Sequence, residues 1–139
     1  MKLRAVAAII FSLVLNLDLA FAADTAEKSI VSAAQSWLRE IDSGSYEKSW
    51  SEASSYFQGA VTVKSWTDAL NGTRRPLGKL VSRKVVKTHS ATSLPGAPDG
   101  NYLVMQFATS FANKKNAVET VTFMREKDEN WRAAGYYIK

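Results

Sequence analysis

The spacing of the apolar residues changes midway along this chain, and that change constrains the fold more than any other feature. Between about Thr25 and Gly72 the apolar residues recur every three or four positions, which is the period of an amphipathic helix. From Leu80 onward they alternate with polar residues, as in a strand that buries one face. A helical first half and a strand-rich second half predict an α+β fold, with helices packed on one face of an antiparallel sheet.

Three helices are predicted before the sheet. The first runs from about Thr25 to Ser43, with Asp24 as its N-cap and Gly44 as its stop signal. Its apolar stripe consists of Ile30, Ala33, Ala34, Trp37, Leu38 and Ile41. A shorter second helix follows Ser45. A third extends from about Thr62 to Gly72, with a stripe of Val63, Trp66 and Leu70.

Four strands joined by hairpin turns are predicted in the second half, which makes an antiparallel meander. The strands are Lys79–Thr92, Tyr102–Ala112, Val118–Lys127 and Trp131–Ile138. In the second strand one face carries Leu103, Met105, Phe107, Thr109 and Phe111. We expect this face to lie against the helices.

The first 22 residues have the pattern of a secretory signal peptide. Lys2 and Arg4 form a short positive region, and an apolar run too short to span a bilayer extends from Ala5 to Leu15. Small residues precede an expected cleavage site near Ala22/Ala23. We therefore expect a periplasmic or secreted protein with no membrane span after cleavage and a single domain at residues 23–139.

Composition excludes several classes of function. The 139 residues include no cysteine, so disulfides, thiolate catalysis and cysteine metal sites are ruled out. The formal net charge of +5 at pH 7 favours anionic partners, but the cations are not clustered as in nucleic-acid-binding proteins. We expect no nucleic-acid partner.

No catalytic motif with a known mechanism is present. The chain has no Gly-x-Ser-x-Gly elbow, no P-loop and no Gly-x-Gly-x-x-Gly turn. His89 is the single histidine, which excludes metal sites built on two or three histidines, and we expect no metal and no cofactor. His89 is a candidate general base, or alternatively an exposed strand residue.

Glu119 is the carboxylate most suited to chemistry. It shares strand parity with Val121 and Phe123, so we expect it to face the helices at the mouth of the apolar layer, where burial would favour its protonated form. It is a candidate acid, base or ligand anchor. The alternative is a salt bridge with Lys114, Lys115 or Arg83 at the end of the sheet.

Basic residues at the turn between the second and third predicted strands suggest a surface for an anionic partner. Asn113, Lys114 and Lys115 are predicted at a hairpin tip, and Arg74-Arg75 and Arg83-Lys84 extend the same charge. The alternative is that these cations only keep turns and sheet edges soluble.

Five aromatic residues are candidates for lining a pocket for an apolar or sugar-like ligand. They are Trp50, Trp66, Phe107, Phe111 and Tyr136. Aromatic residues at helical or strand spacing also form ordinary core, which is the alternative.

Several segments of residues 23–139 carry a resemblance to a known family. They are Trp37-Leu38 with Asp42, Gly44, Tyr46 and Trp50, then Pro76–Gly78, Ser93–Gly100, Gln106-Phe107, Thr109–Lys115, Glu119–Thr122 and Gly135–Ile138. With these segments the chain resembles a family of small exported bacterial proteins, domain of unknown function 4019. The resemblance extends over nearly all of residues 23–139, and the family implies no established activity. A looser resemblance, based on element order, is to the cone-shaped nuclear-transport-factor-2-like and cystatin-like folds, which host enzymes, binders and interaction modules.

Three functional hypotheses follow. The first is a non-catalytic envelope protein that binds a small ligand or a protein partner, with the basic hairpin tip and the loop from Pro95 to Gly100 as surface features. The second is a small enzyme with a cone pocket that uses Glu119 or His89 as acid or base. The third is a structural homodimer that packs sheet against sheet through Tyr102, Val104, Gln106 and Ala108.

Overall fold

A computed structural model gives the backbone of residues 2–139 and the side chains of residues 19–139. Met1 lies outside the described residues, as do the side chains on which the signal-peptide prediction depends. The chain divides into two compact units, residues 1–30 and 31–139. No helix in the described part of the chain is long and apolar enough to cross a membrane.

Helices occupy the first half of the chain. They are α1 (Lys2–Asp42), α2 (Tyr46–Ser51), α3 (Ser55–Ala60) and α4 (Val63–Thr73), and a single 3-10 turn follows at Arg75–Leu77. Four strands complete the chain: β1 (Leu80–Ala91), β2 (Tyr102–Phe111), β3 (Lys114–Arg125) and β4 (Trp131–Ile138). They form one antiparallel sheet in the order β1-β2-β3-β4, so the predicted α+β meander is confirmed.

In the first unit α1 differs from the prediction at its start. The helix begins at Lys2, so Asp24 lies within it instead of capping it, and the Asp24 carboxylate pairs with Lys28 Nζ at 2.9 Å. The preceding turns supply carbonyl acceptors for the amides that an N-cap would otherwise satisfy. The side chains of Leu19 and Phe21 in this unit are exposed.

The helices of the second unit bury one face each. In α1 the buried residues are Ala34, Trp37, Leu38 and Ile41, whereas Ala33 is exposed although it was predicted in the stripe. In α4 Trp66 and Leu70 are buried, and Val63 at the first turn is 37% exposed. The helix α3 was not predicted. It is only six residues long and is started by Ser54, whose hydroxyl accepts a hydrogen bond from the Phe57 amide.

Aromatic side chains join the helices to the sheet. Trp37 stacks on Trp66 with ring centroids 6.0 Å apart, and its edge meets the rings of Phe123 and Tyr136. Both indole N–H groups are satisfied by the buried Ser49, since Trp37 donates to its carbonyl and Trp66 to its hydroxyl. The core therefore lies between the helices and one face of the sheet, which we call the inner face.

The strand parity predicted for β2 is confirmed, because Leu103, Met105, Phe107, Thr109 and Phe111 are all buried. The turn between β2 and β3 is shorter than predicted. It consists of Ala112 and Asn113, and β3 already begins at Lys114 because this residue pairs with Phe111. β1 contains two register shifts, one between Leu80 and Ser82 and one between Val85 and Lys87.

Candidate functional site

Glu119 lies on the inner face of β3, as its parity predicted, and is fully buried with 0% exposure. In the sheet it stands opposite Phe107 of β2 and Ile138 of β4. A carboxylate in such a position is unfavourable unless hydrogen bonds and a counter-charge stabilise it. The surrounding side chains provide both.

Four hydrogen bonds reach the Glu119 carboxylate. Arg83 donates from Nε to Oε1 at 2.7 Å and from Nη2 to Oε2 at 3.2 Å. The Thr109 hydroxyl donates to Oε1 at 2.6 Å, and the Tyr136 hydroxyl donates to Oε2. Each oxygen therefore accepts two hydrogen bonds, which fills the lone-pair positions of an ionised carboxylate.

A second carboxylate, Asp42 at the end of α1, completes an ionic cluster with two arginines. Arg83 donates from Nη1 to Oδ2 at 2.7 Å and from Nη2 to Oδ1 at 2.9 Å. Arg74 donates from Nη2 to Oδ1 at 3.1 Å, and from Nη1 to the Gly78 carbonyl at 2.7 Å. Two cations thus balance two anions, and the cluster ties the end of α1 to the sheet.

Burial and charge shift the titration of two members of this cluster. Burial alone would lower the pKa of Arg83, but the hydrogen bonds and charges of Asp42 and Glu119 outweigh it and raise the pKa. Burial also raises the pKa of the Tyr136 phenol, and the neighbouring Glu119 charge raises it further. Arg83 is therefore held as a cation and Tyr136 as a neutral hydrogen-bond donor.

The ionic cluster joins α1 to the sheet and is largely buried. The side chains of Arg74 and Arg83 are only 4% and 7% exposed, and Glu119 is not exposed at all. A substrate would reach the Glu119 carboxylate only by displacing at least one of its four donors. The salt bridge with Arg83, one of the partners that the sequence offered for Glu119, is present.

His89 lies on the opposite face of the sheet from Glu119. It is exposed on β1 opposite Val104 of β2, and it borders a shallow groove of about 310 Å³ with Lys87, Val104 and Gln106. The two candidate acid–base residues are therefore not brought together.

The five candidate pocket aromatics are placed mainly in the core. Phe107 and Phe111 are fully buried, and Trp66 is held edge-on by Phe57 at 5.0 Å between ring centroids. Trp50 is half-buried and donates its indole N–H to the Val61 carbonyl at 2.7 Å. Tyr136 is half-buried against the ionic cluster.

The predicted basic tip is divided between the turn and β3. Lys114 and Lys115 are exposed strand residues. Asn113 instead packs on the preceding segment, with its side-chain amide donating to the Pro76 carbonyl at 3.0 Å and its backbone amide to the Leu77 carbonyl at 2.9 Å. Arg74 and Arg83 belong to the buried cluster and are not part of a surface patch.

A crevice of about 800 Å³ separates α3 from the β1–β2 and β3–β4 loops and was not predicted. It is lined by Tyr56 and by charged residues of both signs, including Asp99, Arg125, Glu126, Lys127, Asp128 and Arg132. Arg132 is engaged there by Glu126 at 2.9 Å and Asp128 at 2.8 Å. Among residues 19–139, no three His, Asp or Glu side chains form a group able to hold a metal ion.

The outer face of the sheet carries three rows of four residues that run from β1 across β2 and β3 to β4 or to Lys139, which follows β4. The register gives the rows as Lys84, Ala108, Val118 and Lys139; Lys87, Gln106, Thr120 and Tyr137; and His89, Val104, Thr122 and Gly135. None of these residues is acidic. Tyr102 also has outer parity but is buried, because its hydroxyl donates to the Pro98 carbonyl in the loop before β2.

The fold and the cluster define a small α+β domain in which one sheet face is sealed by helices and the other is open. The chain belongs to the family described as protein of unknown function (DUF4019), whose model matches residues 33–136. The match includes Asp42, Arg74, Arg83, Glu119 and Tyr136, so the whole ionic cluster lies within the family region. Neither the curated proteins nor the solved structures contain a match.

Proposed function

We propose that this domain is a non-catalytic binding protein of the cell envelope. The observation that carries the proposal is the saturation of Glu119, the one carboxylate on the inner face of the four strands, by four hydrogen bonds, two of them from Arg83. A general acid or base needs a proton-transfer path to a substrate, and this carboxylate is enclosed. Glu119 and its donors in the core therefore stabilise the fold, and the domain acts through its surface.

The rival proposal, an enzyme that uses Glu119, makes an opposite prediction for Glu119→Gln. If the carboxylate is structural, the substitution lowers the free energy of unfolding by at least about 2 kcal/mol, because Arg83 loses a buried counter-charge. Chemical denaturation measures this. Glu47→Gln on the exposed side of α2 is the control and stays within about 0.5 kcal/mol of wild type. An unchanged or raised stability of Glu119→Gln would contradict the proposal.

Export is part of the same proposal and is supported by the charged, apolar and small-residue segments of residues 1–22. Cell fractionation followed by N-terminal sequencing tests it. The expected mature chain begins at Ala23 or Asp24 and is found outside the cytoplasm. A cytoplasmic chain that retains Met1 would contradict export while leaving the binding proposal intact.

A small-molecule binder is the second candidate, favoured by the crevice of about 800 Å³ beside α3. A volume of this size is typical of ligand sites. Native mass spectrometry of the protein purified gently from cells would then show a reproducible extra mass. Replacing Tyr56, which bridges the crevice by donating to the Gly96 carbonyl at 2.9 Å, with Phe would reduce the bound fraction. A clean mass of the chain alone would remove this candidate.

A further inference from the structure

The outer face of the sheet has a one-sided charge distribution. On this face the edge strand β1 carries Lys84, Lys87 and His89, and Lys139 follows the other edge strand, β4. The three rows of the face contain no acidic side chain. Among residues 19–139, Lys28, Lys48 and Lys64 pair with carboxylates, for example Lys48 with Glu40 at 2.8 Å. Lys84, Lys87 and Lys139 form no ion pair in this part of the chain, and neither do Lys79, Lys114, Lys115 and Lys127.

Apolar side chains lie between these cations. Val118 and Tyr137 are 39% and 57% exposed, and Ala108 is exposed between them and β1. With strands about 4.8 Å apart, the cations on β1 and after β4 are separated by roughly 14 Å, with the apolar side chains in between. An apolar centre with a charged rim is the composition of a protein–protein interface.

A third observation lies at the centre of the face. Thr120 is 8% exposed, and its buried hydroxyl has no hydrogen-bond partner among the described residues. Buried hydroxyl groups in proteins are normally paired. A partner group would reach this hydroxyl only after the flanking Gln106 or Tyr137 side chain moves aside.

We propose that the outer face is the docking surface for a protein partner that presents carboxylates around an apolar patch. The inference rests on the proposed function, that the domain acts by binding. A second copy of the chain is a poorer occupant, because two such faces would place lysines against lysines. A lipid surface is also a poorer occupant, since lipid surfaces are usually bound by long apolar side chains of amphipathic helices.

Site-specific photo-crosslinking in cells of the native host tests the proposal. A photoreactive phenylalanine analogue replaces Ala108 on the outer face in the full chain, and Val118 serves as a second site if the first variant does not fold. Ala69, exposed on α4, is the control position. We expect an adduct with a different protein when the analogue is at position 108 or 118, and none when it is at position 69. The cross-linked segment of the partner should be rich in Asp and Glu.

Two charge-reversed pairs sharpen the test because they change the net charge equally. Lys84→Glu with Lys87→Glu should reduce the adduct about tenfold, since like charges then face the partner. Lys114→Glu with Lys115→Glu, at the start of β3, should change it less than about twofold. An adduct with a second copy, no adduct, or loss only in the Lys114/Lys115 variant would overturn the proposal.

The lipid alternative has its own measurement, in which the purified mature chain is sedimented with phosphatidylglycerol vesicles at physiological salt. We expect no association. Association that Lys84→Glu with Lys87→Glu abolishes would assign the face to membranes and overturn the proposal. Either result leaves the Glu119→Gln test of the proposed function unaffected, so the failures of the two proposals are distinguishable.

Discussion

Arg83 on β1 and Glu119 on β3 are joined across the inner face of the sheet by two hydrogen bonds, of 2.7 Å and 3.2 Å, although β2 separates their strands. Arg83 reaches over β2 and also binds Asp42 of α1 with its remaining donors. One guanidinium therefore connects the helical half of the domain to two strands. Its removal would leave the buried Glu119 without its counter-charge and the half-buried Asp42 with Arg74 alone, which is the costly way to break a buried ion pair.

Tyr136→Phe tests the neutral donor of the cluster. The substitution removes the hydroxyl that donates to Glu119 Oε2 and leaves the ring in the core, so we expect a loss of about 1–3 kcal/mol in unfolding free energy. The neighbouring Tyr137→Phe is the matched control, because Tyr137 is 57% exposed, and it should be neutral. Equal effects of the two substitutions in urea titrations would refute the structural role of the Tyr136 hydroxyl.

Ser49→Ala tests the polar link within the aromatic core. The Ser49 hydroxyl accepts the Trp66 indole N–H at 2.9 Å, and its loss leaves that donor buried and unpaired. We expect a cost of about 1–3 kcal/mol, measured by denaturation followed through tryptophan fluorescence. Ser51→Ala, on the exposed side of α2, should cost less than about 0.5 kcal/mol. No difference between the two would show that Trp66 finds another acceptor.

Gly78→Ala tests the close contact between the segment before β1 and the β2–β3 turn. Gly78 has φ +76° and ψ −160°, and a Cβ there would lie 3.1 Å from Asn113 Nδ2 and 3.2 Å from Ala112 Cβ. We expect a loss of about 1–3 kcal/mol from backbone strain. Gly72→Ala in α4, where a Cβ meets nothing within 4 Å, should instead stabilise the domain by up to about 1 kcal/mol. A stabilised Gly78→Ala variant would contradict this geometry.

Arg132 should contribute less to the free energy of unfolding in acid. Hydrogen bonds from Arg132, followed by those from Asn130, lower the pKa of Asp128. Burial would raise the pKa of Glu126, but hydrogen bonds from Ser55 and Arg132 outweigh burial and lower this pKa. Lowered folded-state values give stability that is present above the ordinary carboxyl range of about 4 and is lost as the pH falls through the folded values.

We therefore expect Arg132→Gln to be less stable than wild type at pH 7, with the difference shrinking below about pH 4. Urea titrations across this range measure the difference. Arg125→Gln removes an ion pair with Glu129, whose side chain is 79% exposed. The stability of this variant relative to wild type should therefore change little with pH. A difference for Arg132→Gln that grows in acid would have the wrong sign for this account.

Local patterns predicted much of the sheet and little of the cluster. The parity of β2 and β3 follows from the alternation of apolar residues, so the burial of Phe107 and Glu119 could be anticipated. The two register shifts in β1 break that alternation, and the sequence alone does not show that Arg83 faces inward while Lys84 faces outward. The partnership of Asp42 with Arg74 and Arg83 depends on tertiary packing between residues 32 and 41 positions apart.

The predicted start of α1 was wrong for a related reason, and α3 was missed. A capping pattern at Asp24 is a local signal, but a helix that already extends from Lys2 satisfies the same amides without a cap. The short α3 carries too few residues to show a helical period, although Ser54 is a typical N-cap. Tyr102 has outer parity and is nevertheless buried, because the loop before β2 folds back over it.

A double-mutant cycle between Arg83 and Glu119 tests the central claim most directly, namely that the buried carboxylate stabilises the fold and is not a reactive group. Unfolding free energies are measured for wild type, Arg83→Met, Glu119→Gln and the double variant. We predict that each single change is strongly destabilising and that the coupling energy is at least about 1 kcal/mol, since both remove the same buried interaction. Changes in unfolding free energy that add to within about 0.3 kcal/mol would contradict the claim, because Glu119 and Arg83 would then contribute to stability independently.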